Sequence, residues 1–188
     1  MGDKYLKTLE MSTAAIVIDN FLTTDQWNTI QAELSVNGFL TSGYQEARNS
    51  LQSQINEWIE TKLRSINIWQ NSWKNEIPLF SSLNVTPKGI DRESGDPTNG
   101  GYHREDGGYI LYIHPKWEST WGGNLKFKDC DVAQVEPTPN RFVWVNPSIW
   151  HGIEVVSNDA TNNRITVVAW PEGTVEYPSA TQVINTSS

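Results

Sequence analysis

Cysteine is almost absent from this sequence of 188 residues, in which Cys130 is the only one. A single cysteine cannot form an internal disulfide, and a zinc site built from several thiolates is excluded. The sequence also lacks a hydrophobic run long enough to span a bilayer, and its first residues contain no apolar stretch of signal-peptide length. These features favour an intracellular, cytoplasmic protein that does not associate with a membrane.

Positive charge is also scarce, since the net charge is −8 and the isoelectric point is about 4.8. A protein that binds nucleic acid neutralises phosphates with a stripe of Lys and Arg, and no such stripe occurs here. We therefore expect no nucleic-acid partner. Hydrophobic residues make up 37% of the chain, and this composition and length fit one soluble domain with a single core.

The first 78 residues predict one strand followed by two helices. Residues 14–18 form a short apolar run typical of a buried strand. A helix is predicted from Thr24 to about Gly38, and a second from about Ser50 to Trp73, each with apolar side chains every three or four residues. Such stripes indicate that both helices cover one face of a sheet.

The rest of the chain predicts a fold built mainly from β-strands. Residues 79–85 are strand-like, and residues 86–101 form a loop rich in Gly, Pro, Asp and Asn. Further short strands are then predicted at residues 102–105, 109–113, 124–128, 141–145, 152–156 and 165–170. This pattern is typical of a sandwich, jelly roll or barrel. We expect a single domain in which residues 1–78 support a core formed by residues 79–172, and residues 173–188 form a tail.

Two of the three histidines lie where they could bind a metal ion. His103 and Glu105 alternate along one strand, so their side chains point to the same face, whereas Asp106 points to the other. His151 lies at the start of a later strand. Two imidazoles and one carboxylate form the facial ligand set that leaves adjacent positions open on Fe(II). A bulge before Gly107 would turn Asp106 inward instead of Glu105, so Asp106 is the alternative ligand.

A strand beginning at Arg164 predicts a binding site for a carboxylate. Arg164 and Thr166 share a face of this strand, and a guanidinium group and a hydroxyl group can both donate hydrogen bonds to one carboxylate. A dicarboxylic co-substrate that chelates the metal through its keto-acid end would place its far carboxylate there. His114, which is followed directly by Pro115, is interpreted as a structural residue.

Several short motifs occur in a fixed order along residues 79–172. They are His103-Arg104-Glu105, Tyr112-Ile113-His114-Pro115-Lys116-Trp117, Gly122-Gly123-Asn124-Leu125, Val135-Glu136-Pro137, Arg141-Phe142-Val143-Trp144-Val145, His151, Arg164 and Trp170. With these motifs the C-terminal half resembles the prolyl 4-hydroxylase branch of the Fe(II)/2-oxoglutarate-dependent oxygenases.

The resemblance implies a mainly β fold with N-terminal helices and a double-stranded β-helix, or jelly-roll, core. It implies Fe(II), 2-oxoglutarate and O2 as cofactors and co-substrates, with His103, Glu105 and His151 as the catalytic metal ligands. Arg164 and Thr166 would bind 2-oxoglutarate. The reaction would be hydroxylation of a C–H bond in a prolyl or other amino-acid residue, free or in a peptide or protein. Glu105 departs from the family pattern, which usually has Asp at this position.

The family also uses a tyrosine to contact 2-oxoglutarate, and this sequence offers Tyr109 and Tyr112. Counting back from Trp117 with strand alternation predicts that Tyr109 faces the site and that Tyr112 faces away from it. Tyr109 is therefore the predicted contact.

Two other functions remain compatible with the sequence. A non-catalytic jelly-roll module could bind a sugar or a peptide through its aromatic side chains, with the histidines playing no part. A cupin-type metalloenzyme could use the metal without 2-oxoglutarate, and Arg164 would then have no special role. The sequence does not indicate an oligomeric state.

Overall fold

The computed structural model describes residues 9–12, 14–36, 39–40, 42–65, 79–86, 88–89, 108–146 and 148–171. Within these ranges the chain forms nine strands, two α-helices and two short 3-10 helices. In chain order the elements are β1 (Leu9–Met11), β2 (Ala15–Ile18), α1 (Thr24–Leu34), a 3-10 helix (Ser42–Tyr44), α2 (Gln45–Ser65), β3 (Leu79–Thr86), β4 (Gly108–Tyr112), a 3-10 helix (Ser119–Trp121), β5 (Leu125–Phe127), β6 (Gln134–Val135), β7 (Phe142–Val145), β8 (His151–Ile153) and β9 (Arg164–Pro171).

Helix α1 begins where the sequence predicts, because Thr23 and Gln26 form a capping box. The Thr23 side chain accepts a hydrogen bond from the Gln26 N–H at 3.3 Å, and the Gln26 side chain accepts one from the Thr23 N–H at 3.0 Å. Two N–H groups that have no partner within the helix are satisfied in this way. The helix ends at Leu34, earlier than the predicted Gly38.

Helix α2 begins at Gln45 rather than at the predicted Ser50. Residues 45–48 are Gln, Glu, Ala and Arg, which all favour helix, so the helix extends back to the preceding 3-10 turn. Its buried side chains recur every four residues, as the apolar stripe predicted; they are Leu51, Ile55, Ile59 and Leu63. The predicted end at Trp73 lies outside the described residues. Neither of the described helices is long and apolar enough to cross a bilayer.

The strands form two antiparallel sheets. The large sheet has the order β1-β2-β7-β4-β9-β3, and the small sheet has the order β6-β5-β8. The two sheets stay separate within the described ranges, so a closed barrel, one of the alternatives predicted above, is not formed by these strands. The short predicted strands are confirmed in their order, with ends that differ by a few residues; the predicted strand at residues 102–105 lies outside the described residues.

The large sheet has one apolar core on each face. One core lies under the helices and includes Ile30, Leu51, Tyr109, Leu111, Phe142 and Val167. The other lies against the small sheet and includes Ile110, Tyr112, Leu125, Phe127 and Val143. The prediction that both helices cover one face of a sheet is confirmed.

The chain before α1 is fastened to the strands by the side chain of Asn140. This amide accepts a hydrogen bond from the Leu22 N–H at 2.8 Å and donates one to the Leu22 carbonyl at 3.0 Å. Close by, the Arg141 guanidinium donates two hydrogen bonds to the Asp19 carboxylate, at 2.6 and 3.0 Å. These contacts hold the first core together at its edge.

Candidate active site

Arg164 is a charged side chain that is almost completely buried, with 1% of its surface exposed. It lies at the start of β9 and shares a face with Thr166. Its Nε–H donates to the Gly123 carbonyl at 2.9 Å, and its Nη1 and Nη2 groups lie 3.3 Å from Thr86 Oγ1 and 3.4 Å from the Tyr112 hydroxyl. All three acceptors are neutral, and among the described residues the guanidinium has no carboxylate partner.

Burying a charge without a counter-ion costs free energy of folding. A buried guanidinium of this kind therefore indicates a binding site for an anion.

Tyr112 lies beside this guanidinium and is fully buried. The Arg164 guanidinium carbon lies 5.0 Å from the centre of the Tyr112 ring. Burial raises the pKa of Tyr112, although the Arg164 charge acts in the opposite direction. The phenol therefore keeps its proton, and while it accepts a hydrogen bond from Arg164 it can donate its own to a bound carboxylate.

The prediction that Tyr109 faces the site is wrong. Tyr109 pairs with Ala169 and lies in the core under the helices, whereas Tyr112 pairs with Thr166 on the opposite face of β4. Paired residues share a face of a sheet, so Arg164, Thr166 and Tyr112 lie together. The count back from Trp117 failed because β4 ends at Tyr112, and alternation does not continue through the turn that follows.

Two threonines complete the polar surface around Arg164. Thr166 is 1% exposed and lies on the same strand face, as predicted. Thr86, at the end of β3, pairs with Arg164 across the sheet and accepts its hydrogen bond. Thr86 was not identified from the sequence, because only the antiparallel pairing of β3 with β9 brings it there.

His151, the predicted distal metal ligand, begins strand β8 and is largely buried. Its Nδ1 atom lies 3.0 Å from the Ile149 carbonyl oxygen. A carbonyl only accepts hydrogen bonds, so Nδ1 carries the proton and Nε2 carries a lone pair. This is the tautomer in which a histidine binds a metal through Nε2.

His151 and Arg164 enter the space between the two sheets from opposite walls. His151 pairs with Phe127, whose side chain lies in the core between the sheets, so the imidazole faces this space as well. Arg164 donates a hydrogen bond to the Gly123 carbonyl. Gly123 precedes Phe127 by four residues, so the Cα atoms of these two residues lie at most about 14 Å apart. Two of the residues that the sequence singled out thus face the space between the two sheets.

The other predicted metal ligands, His103 and Glu105, lie outside the described residues, as does the alternative, Asp106. Within the described ranges no group of three or more His, Cys, Asp or Glu side chains could hold a metal ion. The ligand set therefore stays a prediction. The groups that are described fit Fe(II) and 2-oxoglutarate, since His151 has the required tautomer and Arg164 is buried beside the hydroxyl groups of Thr86 and Tyr112 without a described anion.

The sequence matches a family model over residues 90–172, a segment that contains Tyr112, His151 and Arg164. The model is that of the 2OG-Fe(II) oxygenase superfamily. No curated protein matches the sequence significantly.

Several solved structures share the fold. A prolyl-4-hydroxylase from Pseudomonas putida superposes with a TM-score of 0.54 at 16% identity, covering 89% of this chain and 90% of that one. A Trichoplax adhaerens prolyl hydroxylase in complex with a hypoxia inducible factor peptide fragment gives 0.51 at 14% identity, covering 93% and 88%. NgTET1 in complex with 5mC DNA gives 0.54 at 14% identity, covering 88% and 75%.

Residues 90–172 thus match the 2OG-Fe(II) oxygenase superfamily, and the chain shares the fold of solved prolyl hydroxylases. The predicted resemblance and the mainly β jelly-roll fold with N-terminal helices are confirmed. Fe(II), 2-oxoglutarate and O2 are the cofactor and co-substrates of this class. The comparisons do not support the expectation that nucleic acid is excluded as a partner, because one similar structure is a complex with DNA.

Proposed function

We propose that this protein is an Fe(II)- and 2-oxoglutarate-dependent dioxygenase that hydroxylates a C–H bond of a prolyl or other amino-acid residue, free or within a peptide. The observation that carries the proposal is the buried guanidinium of Arg164, which has no described carboxylate partner and shares the space between the sheets with His151.

The metal would be held by His151 together with His103 and either Glu105 or Asp106. The hydrogen bond from His151 Nδ1 to the Ile149 carbonyl fixes the ring orientation and the tautomer in which Nε2 carries the lone pair that would bind the metal. When bound together, Fe(II), 2-oxoglutarate and O2 supply the oxidising power that inserts one oxygen atom into a C–H bond.

The far carboxylate of 2-oxoglutarate would be bound by Arg164, Thr166 and Tyr112. Arg164 neutralises its charge, and the two hydroxyl groups donate hydrogen bonds. Tyr112 takes the role that the sequence assigned to Tyr109, because Tyr112 contacts Arg164 and Tyr109 lies on the opposite face of β4. This polar end borders the apolar core between the sheets, which contains Tyr112 together with Ile110, Leu125 and Val143 and would keep water from the site.

A substrate would approach on the side of Trp150, which directly precedes His151. Its indole is 49% exposed, and exposed large aromatic side chains of this kind are enriched in binding surfaces. A peptide substrate is favoured because the similar Trichoplax adhaerens structure holds a peptide fragment.

Anaerobic addition of Fe(II) and then 2-oxoglutarate tests the proposal through the weak visible charge-transfer band that the chelate produces. The band should form with the parent protein and disappear in His151→Ala. A suitable control is Lys126→Ala, because Lys126 pairs with Gly152 and projects from the other face of the small sheet. A parent protein that gives no band would overturn the proposed function.

The substrate class can be tested by succinate release from 2-oxoglutarate in the presence of candidate substrates. Proline-containing peptides, free amino acids and DNA containing 5-methylcytosine should be compared at equal concentration. We expect stimulation by peptides or amino acids. Stimulation by the DNA alone would contradict the proposed substrate class but leave the oxygenase activity in place.

A further inference from the structure

His114 is a histidine that the proposed reaction does not use, yet it is completely buried next to the anion-binding residues. It follows β4 two residues after Tyr112, and its ring centre lies 5.9 Å from the Tyr112 ring and 4.7 Å from the Trp117 ring. Completely buried polar groups are seldom retained without hydrogen-bond partners, so its contacts indicate what it does.

Both ring nitrogens of His114 contact the backbone. Nε2 lies 2.6 Å from the Pro137 carbonyl oxygen, and the Ile165 N–H points to Nδ1 at 3.4 Å. A carbonyl accepts and an N–H donates, so Nε2 carries the proton and Nδ1 accepts. The ring thus connects the turn at Pro137 to the residue that directly follows Arg164.

Burial, with a smaller contribution from the nearby Arg164 charge, lowers the pKa of His114 to about 4, although the hydrogen bond to the Pro137 carbonyl opposes the shift. The ring is therefore neutral near pH 7 and keeps the lone pair that accepts the Ile165 N–H.

The other end of the Arg164 side chain is also fixed, through Gly123 and Trp117. Arg164 Nε–H binds the Gly123 carbonyl at 2.9 Å, and the Trp117 indole donates to the adjacent Gly122 carbonyl at 3.0 Å. Gly123 has φ of +71°, and a Cβ there would lie 3.1 Å from Arg164 Cδ and 3.2 Å from the Trp117 ring. The backbone beside the guanidinium and the backbone at the root of the side chain are thus held by neighbouring aromatic rings, Trp117 and His114.

We propose that His114 is a positioning residue for Arg164, in which the Nδ1 contact to the Ile165 N–H holds the start of β9 so that the guanidinium is aimed at the co-substrate carboxylate. The inference rests on the proposed function, because that function supplies the carboxylate. His114 itself would touch neither the metal nor the co-substrate.

Two substitutions distinguish the contact made by Nδ1 from the contact made by Nε2. The side-chain oxygen of His114→Asn lies where Nδ1 was and can accept the Ile165 N–H, whereas the amide of His114→Gln reaches the Nε2 position and can only replace the contact to Pro137. The affinity for 2-oxoglutarate, measured by anaerobic titration of the charge-transfer band, should fall about tenfold in His114→Gln and stay within about twofold in His114→Asn. The affinity for glutarate, measured by calorimetry on the metal-free protein, should likewise fall more in His114→Gln than in His114→Asn.

Gln31→Ala is the matched control, since Gln31 Nε2 donates to the Ile113 carbonyl at 2.9 Å from the helix side of the sheet. It removes a hydrogen bond to the residue next to His114 without altering either ring nitrogen, so its 2-oxoglutarate affinity should equal that of the parent. Equal losses in His114→Gln and His114→Asn, or no loss in His114→Gln, would overturn the positioning role. Because the parent protein would still give the band, such a result would leave the proposed function intact.

A measurement on the parent protein tests the same point without a variant. The chain has three histidines, so their ring ¹⁵N signals can be assigned by comparison with His114→Asn. We expect the His114 ring to be protonated on Nε2 and unprotonated on Nδ1 at pH 7. A proton on Nδ1 would remove the acceptor on which the inference depends and would overturn it.

Discussion

The Tyr112 hydroxyl lies 3.4 Å from Nη2 of Arg164, and both side chains are buried between the two sheets. Tyr112 is the last residue of β4, which pairs with β9. Its contact with Arg164 therefore depends on the strand register that places Tyr112 opposite Thr166. One residue of slip would exchange Tyr112 for an apolar neighbour at this place. The register of two central strands therefore decides which tyrosine belongs to the proposed site.

Replacement of the two tyrosines should give opposite results. Tyr112→Phe removes a hydroxyl that can bind the carboxylate, and the dissociation constant for 2-oxoglutarate should rise about tenfold. Tyr109→Phe is the control, since Tyr109 packs against Phe142 and Trp144 on the helix side, with ring centres 5.5 and 5.7 Å away. Titration of the anaerobic charge-transfer band measures both. A larger effect from Tyr109→Phe would contradict the proposed site.

Arg164→Ala should raise the dissociation constant for 2-oxoglutarate about a hundredfold, because a charge-assisted contact to the carboxylate is lost. Arg141→Ala removes a guanidinium that directly precedes β7 and is hydrogen-bonded to Asp19, and it serves as the control. Its affinity should match that of the parent. Similar affinities for parent and Arg164→Ala would show that Arg164 does not bind the carboxylate of 2-oxoglutarate.

Trp150→Ala should weaken the binding of the substrate without weakening the binding of 2-oxoglutarate. The half-exposed indole can contact a substrate beside His151, whereas Arg164 lies at the opposite wall. We expect the KM for the best peptide to rise several-fold, by about 1 kcal/mol of lost contact, with an unchanged 2-oxoglutarate affinity. Trp150→Phe keeps an aromatic ring, and its peptide KM should lie between those of the parent and of Trp150→Ala. Unchanged peptide KM values in Trp150→Ala would place the substrate elsewhere.

Stability should fall on acidification in a way that depends on His114. Its folded-state pKa is about 4, below the ordinary 6.5, so the unfolded chain binds more protons between these values and stability decreases as the pH falls through them. The shift corresponds to about 3 kcal/mol between pH 7 and pH 4. Denaturant unfolding of the parent and of His114→Asn isolates this contribution, since both contain the same carboxylates. Parallel pH profiles would show that the histidine titrates normally.

Asn140→Ala should destabilise the fold by about 3 kcal/mol. Two hydrogen bonds to the Leu22 backbone are lost, and alanine must adopt the positive φ of 58° that Asn140 has. Asn140→Gly is the control, because glycine tolerates this φ and should lose only about 2 kcal/mol. Urea unfolding measures both, and equal losses would mean that the backbone conformation at this position costs nothing.

Local patterns along the chain predicted most elements and much of the proposed site. Helix α1 was predicted from Thr24 because its cap is a local feature, and the position of Arg164 and Thr166 on one face follows from strand alternation. Helix α2 was predicted to start at about Ser50, although the helix begins at Gln45. A local signal locates an element but does not always mark its end.

The sequence alone determined the motif order that matches the oxygenase family and the choice of His151 and Arg164, because these depend on residue type and spacing. The tertiary structure decided that Tyr112 rather than Tyr109 contacts Arg164, and that Thr86 lies beside Arg164. It also decided that His114 accepts a hydrogen bond from the Ile165 N–H. These contacts join residues far apart in the chain, and they depend on strand register and on where a strand stops alternating. Neither property is encoded by any short stretch of sequence.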